Sequence, residues 1–164
     1  MEGLADPPLR KVLCPHGGYD WCFSEFIRVT DEGVSDKTLL NDCPELRNGG
    51  RTEDGTPCRL QLLGDDPDLM GQGALSVLYA LGANVTVMDI NMGILRQLGD
   101  KYQGHINTMF CNQQTIASVL PQTDMVINCV KWPKQRKDFL ITKEMLKLME
   151  PGSVLVDISN DDPG

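Results

Sequence analysis

The alternation of apolar and polar positions changes character near residue 59. Before it, apolar residues come in short clusters separated by the turn signals Pro7-Pro8, Gly17-Gly18, Gly49-Gly50 and Gly55-Thr56-Pro57. Trp21-Cys22-Phe23 with Phe26-Ile27 reads either as one helix turn or as a buried strand. Residues 34–40 carry a second, weaker apolar pattern. The run Asn48-Gly49-Gly50-Arg51-Thr52-Glu53-Asp54-Gly55 reads as an exposed loop. No domain is legible in residues 1–58, which stay unassigned.

From residue 59 onward the pattern becomes regular. Residues 59–63, 84–89, 106–110, 125–130 and 153–157 are short β-branched and apolar runs, and each reads as a strand. Between them, apolar residues recur at helical spacing over 73–81, 92–98, 113–120 and 142–149. Strands that alternate with helices predict a parallel sheet with crossover helices, because parallel neighbours cannot be joined by a tight turn. The fold class predicted is therefore α/β. It is a Rossmann-like, doubly wound parallel sheet of five strands in the order 3-2-1-4-5, with an irregular N-terminal extension. The usual sixth strand would lie beyond Gly164, so residues 59–164 read as a partial nucleotide-binding domain.

Composition then narrows the class. The chain has 164 residues, 41% of them hydrophobic, which is too apolar for disorder and too short for a whole two-domain dehydrogenase. No run approaches the roughly 20 apolar residues of a membrane span, and the start lacks a signal-peptide pattern. The reading is cytoplasmic, with no membrane partner. With 23 acidic and 15 basic residues the net charge is −8, concentrated before residue 71. That balance predicts no nucleic-acid partner, since phosphate binding needs a basic footprint. Of six cysteines, Cys14, Cys22, Cys43 and Cys58 fall early. Cys14-Pro15-His16 followed by Cys22 invites a zinc reading. No Cys-x-x-Cys pair is present, however, and structural zinc sites favour close ligand pairs. Free thiols and no metal are the expectation.

A dinucleotide site needs a Gly-rich turn after the first strand, a helix N-terminus for the pyrophosphate, and an acid at the end of the second strand. Asp89 supplies the acid, and a carboxylate there accepts from ribose hydroxyls and repels a 2′-phosphate, which favours NAD. Gly71 aligns with the third glycine of the turn. The first two positions fall on Asp66 and Asp68, and Asp65 lies beside them. A like-charge pair at about 5 Å in an effective dielectric near 20 costs on the order of 3 kcal/mol, so this turn opposes a pyrophosphate. Cys129 and Val130, at the end of the fourth strand, would line the same crevice. Lys131, Lys134, Arg136 and Lys137 read as a solvated basic loop.

Four linked stretches carry a family resemblance. They are Leu81-Gly82-Ala83-Asn84-Val85-Thr86-Val87-Met88-Asp89, Leu95-Arg96-Gln97-Leu98 with Ile106-Asn107-Thr108, residues 124–130, and Glu144-Met145-Leu146-Lys147-Leu148-Met149-Glu150-Pro151-Gly152-Ser153-Val154-Leu155-Val156-Asp157. Residues 71–164 resemble the NAD-binding domain of the alanine dehydrogenase and pyridine nucleotide transhydrogenase family. The resemblance implies an NAD-dependent amino-acid dehydrogenase that converts L-alanine, NAD and water into pyruvate, ammonia and NADH. Asp161 would stand where the family places a catalytic aspartate. Small-molecule partners would be an amino acid and its 2-oxo acid. The substrate half would be missing or supplied by another polypeptide, and a homo-oligomer is compatible. A non-catalytic nucleotide-binding or subunit-interaction remnant is the alternative. So are the related carboxyethylornithine synthases and saccharopine dehydrogenases, which share parts of the pattern.

Overall fold

The structure is a computed structural model that describes residues 5–30, 33–64, 66–131 and 138–158. The chain divides into two compact units, Met1–Ala83 and Asn84–Gly164. The segment read as one nucleotide-binding domain from residue 59 is thus shared between the two.

In the first unit, α1 (Pro7–Leu13) starts on Asp6, whose side chain accepts from the Leu9 amide at 2.9 Å; Pro7 and Pro8 occupy the first-turn positions where no amide donor is required. Strand β1 (Cys22–Arg28) follows a 3-10 turn at Cys14–His16. Ser35 caps α2 (Asp36–Asp42) by accepting from the Thr38 amide at 3.1 Å. A second 3-10 turn, Pro44–Asn48, leads towards β2 (Cys58–Leu63). β1 and β2 are parallel, with α2 in the crossover between them. Their register shifts between Phe23 and Phe26, and the fully buried Ser24 fills the irregularity. Its hydroxyl accepts from the Gln61 amide at 2.9 Å and donates to the Glu25 carbonyl at 2.7 Å. α3 (Pro67–Ala80) closes the unit. The core is Ile27, Val29, Val34, Leu39, Cys43 and Leu46, with Leu60, Leu62, Leu69 and Val77 packed against it.

The N-terminal region is therefore an ordered α/β unit, not an irregular extension. Its elements are about two turns long, too short for a periodic signal. Part of its core is cysteine and serine rather than aliphatic.

The second unit holds β3 (Thr86–Asp89), α4 (Met92–Lys101), β4 (Asn107–Phe110), α5 (Gln113–Val119), β5 (Met125–Asn128), α6 (Lys143–Leu146) and β6 (Val154–Asp157). β3 pairs parallel with β4 from Thr86↔Asn107 to Asp89↔Phe110; β5 pairs parallel with β6 from Met125↔Val154 to Asn128↔Asp157. Ile116, Leu120 and Met145 form one buried cluster, lined by Met88 of β3 and Val126 of β5, and Leu95, Tyr102 and Ile106 are buried as well. Asn112 and Thr115 form a capping box on α5.

The five-stranded order 3-2-1-4-5 is realised only in its two outer pairs. Among the described residues there are three two-stranded parallel sheets. The strand expected at the centre, β2, pairs with β1, because the N-terminal segment supplies a parallel partner that its own pattern did not announce.

Candidate functional site

At the turn where a pyrophosphate would bind, Asp66 is the N-cap of α3. Its Oδ1 accepts from the amides of Asp68 at 2.9 Å and Leu69 at 3.2 Å. Those are the helix N–H groups that a phosphate would otherwise use. The N-terminus of α3 is self-capped and carries a carboxylate. Gly71 sits inside α3, past the first turn, half-buried. The glycine that permits close helix–strand approach is Gly73: a Cβ there would stand 2.8 Å from Val29 Cγ2 and 3.3 Å from Leu62 Cδ1.

Asp89 ends β3 and is half-buried, with Oδ1 accepting from the Asn91 amide at 2.7 Å. Asn91 in turn caps α4. Burial pushes the nearby Cys111 thiol up, and the Asp89 charge adds to the shift. At the end of β5, Asn128 donates to Asp157 Oδ1 at 3.1 Å and accepts from the Val130 amide at 3.2 Å. The Cys129 thiol lies 4.0 Å from the Ile127 carbonyl. Asp89, Cys129 and Val130 all belong to the second unit, at the carboxyl ends of its strands, where open α/β sheets hold ligands. Gly71 belongs to the first unit. Asp161 and residues 132–137 lie outside the described residues. Within the second unit Asp89 offers a carboxylate at a strand end; within the first, Asp66 occupies the N-terminus of α3 with its own side chain, which does not suit a phosphate there.

A second constellation escaped the sequence pattern. Arg10 and Glu45 form a buried ion pair, 3% and 8% exposed. Arg10 Nε donates to Oε1 at 2.9 Å and Nη2 to Oε2 at 2.8 Å. Arg10 also donates to the carbonyls of Asp42, at 3.0 Å, and Ala5. Burial opposes both charges. The Glu45 hydrogen bond nonetheless raises the Arg10 guanidinium, and Arg10 holds the Glu45 carboxyl below the usual carboxylate range. Four cysteines gather around this pair. The Cys43 and Cys58 sulfurs lie 3.9 Å apart. Cys22 interacts electrostatically with Cys58 and with Cys14. Burial pushes the Cys14 and Cys22 thiols up to about 11, and the Cys43 hydrogen bond together with burial pushes Cys58 up further. All three are neutral thiols at pH 7. No short-range motif joins Arg10 to Glu45, 35 residues away. The one available sequence signal was the recurrence of cysteine at 14, 22, 43 and 58.

Comparisons with known proteins separate the two halves. The profile of the dihydrouridine synthase (Dus) family matches residues 1–94, and that of the alanine dehydrogenase/PNT, C-terminal domain, matches residues 67–164. A tRNA-dihydrouridine(16) synthase of Aquipseudomonas alcaligenes is 42% identical over 104 residues, 63% of this chain and 32% of the relative. The Pseudomonas putida protein of the same name is 44% identical over 104 residues, 63% and 31% of the two chains. One from Neisseria meningitidis serogroup A is 35% identical over 136 residues, 83% and 37%. The chain thus spans about a third of the length of these relatives. Among solved structures, an L-alanine dehydrogenase matches with a TM-score of 0.50 and 25% identity, over 70% of this chain and 33% of that one.

These relatives overturn two expectations. The reading as an NAD-dependent amino-acid dehydrogenase fails, because the curated relatives covering most of the chain are named tRNA-dihydrouridine(16) synthases. The resemblance that suggested it was carried by the C-terminal stretch alone. The exclusion of nucleic acid as a partner also fails, because those names specify tRNA. Net charge averages over a whole chain, whereas phosphate contact needs only a local basic patch. The chain belongs to two oxidoreductase families at once: residues 1–94 to the dihydrouridine synthases and residues 67–164 to the alanine dehydrogenase/PNT C-terminal domain, the two matches overlapping over residues 67–94.

Proposed function

We propose that the chain carries a segment of a tRNA-dihydrouridine synthase, joined to a segment of pyridine-nucleotide-binding type. Its function is oxidoreduction on a uridine of tRNA. The identity of 42–44% with tRNA-dihydrouridine(16) synthases over 104 residues carries this reading. The ordered β1–α2–β2 crossover supports it, since the first unit is a built α/β core rather than a tail. Arg28, Arg47, Arg51 and Arg59 are exposed on that unit and supply phosphate contacts despite its acidic balance. In the second unit Asp89 is the ribose acceptor, while Cys129 and Val130 line the crevice beside it. Gly71 contributes to helix packing rather than to phosphate. Asp161, outside the described residues, is proposed to act near the reacting ring.

The test is direct. The purified chain is incubated with an unmodified tRNA transcript and either NADH or NADPH, and the digested RNA is read by mass spectrometry. The expected result is a transcript that is retained on the chain in a gel-shift and gains dihydrouridine. A folded chain that neither retains nor modifies the transcript overturns the reading.

A further inference from the structure

We infer that Cys43, Glu45 and Cys58 form a binding site for a thiophilic divalent cation of the zinc class. Their ligand atoms all lie within 4.8 Å of one another, with Cys43 and Glu45 buried and Cys58 half-buried. The Cys43–Cys58 separation of 3.9 Å is far longer than the roughly 2.05 Å of a disulfide. It matches the edge of a tetrahedral thiolate site, where bonds of about 2.3 Å place two sulfurs about 3.8 Å apart. Cys43 and Glu45, with one residue between them, bring two of the donors together in the turn that leaves α2. Cys58 closes the site from the first position of β2.

The surroundings fit a cation. Cys43 is held by its amide, which donates to the Leu39 carbonyl at 2.8 Å, so its side chain starts from a fixed backbone. Each Glu45 oxygen accepts once from Arg10 and keeps capacity for a further partner. Arg10 thereby orients the carboxylate, as outer partners of metal ligands do. Charge closes as well. Binding releases the Cys43 and Cys58 thiol protons to solvent, leaving two thiolates and one carboxylate against a divalent ion. The residual single negative charge is neutralised by the buried Arg10.

Cadmium titration of the reduced full chain reads the site through the ultraviolet thiolate-to-cadmium absorption, with zinc content after dialysis as a second measure. One ion per chain is expected, with a thiolate band. Cys58→Ser weakens binding more than about tenfold, and Cys111→Ser and Cys129→Ser, in the second unit, leave it unchanged. Circular dichroism confirms that each variant is folded. If Cys58→Ser unfolds, Cys43→Ser, with a comparable loss expected, takes its place. A folded chain without the band overturns the assignment. So does a band that survives Cys58→Ser or disappears in Cys111→Ser.

Discussion

At the scale of single residues, burial decides which charges matter. Arg10–Glu45 and Lys11–Glu53 have the same 2.8 Å separation, but the first pair is buried and the second is 67% and 80% exposed. An exposed pair contributes little, whereas removing one partner of a buried pair strands the other. Glu45→Gln is therefore expected to destabilise the chain by about 3–5 kcal/mol, and Glu53→Gln to leave the denaturant midpoint near its starting value. The pH dependence follows from the same pair. Glu45 is held below the ordinary carboxylate range, so its contribution is fully present above about pH 4.3 and is lost as pH falls through its lowered folded value. Denaturation midpoints measured between neutral and acidic pH should fall less steeply in Glu45→Gln than in the parent. Equal slopes would show that the carboxyl is not coupled to folding. None of this was legible in the sequence, where Arg10 and Glu45 are two charges among many and their neighbours in space are far apart in the chain. The acid at the end of the second predicted strand was legible, because Asp89 and its strand are contiguous.

At the scale of elements, local signals placed the pieces and non-local pairing placed the sheet. Strands 86–89, 107–110, 125–128 and 154–157 lie within the runs that β-branched composition predicted, and the α5 capping box sits where the pattern turns helical. Partner choice was not local. β2 reads as the centre of a five-stranded sheet until β1 is recognised, and β1 hides a buried Ser24 among exposed Phe23 and Phe26. The α3–β2 contact shows how tightly that choice is fixed. Gly73→Ala would gain about 1 kcal/mol of helix propensity. Its Cβ, however, would meet Val29 Cγ2 at 2.8 Å, and overpacking costs about 1–3 kcal/mol. The steric effect is expected to win, with Val29→Ala restoring part of the loss. Gly99→Ala in α4 meets nothing within 4 Å and is expected to stabilise instead. Thermal denaturation of the three variants checks both signs, and a more stable Gly73→Ala would refute the close packing.

At the scale of the whole chain, two family segments meet within residues 67–94 and the contact boundary falls at Ala83. The first unit carries a crossover, a paired sheet and six buried core residues in one cluster. The second keeps the two outer strand pairs of a doubly wound sheet with no strand joined between them among the described residues. Among the described residues its β5–β6-side cluster holds Ile116, Leu120 and Met145, and Phe110, Met125, Val154 and Leu155 are each more than 40% exposed on its strands. A parallel sheet normally hides both faces, so each of these side chains forgoes burial worth up to about 1.5–3 kcal/mol. Local opening free energy tracks buried apolar contact. The amides of β5 and β6 are therefore expected to exchange hydrogen faster than those of β1 and β2, and to lose protection at lower denaturant. Hydrogen-exchange mass spectrometry on peptides covering 22–28, 58–63, 125–128 and 154–157 measures this. Equal protection in all four would mean that the second unit is stabilised by something other than its own core, and slower exchange in β5 than in β1 would reverse the ranking outright.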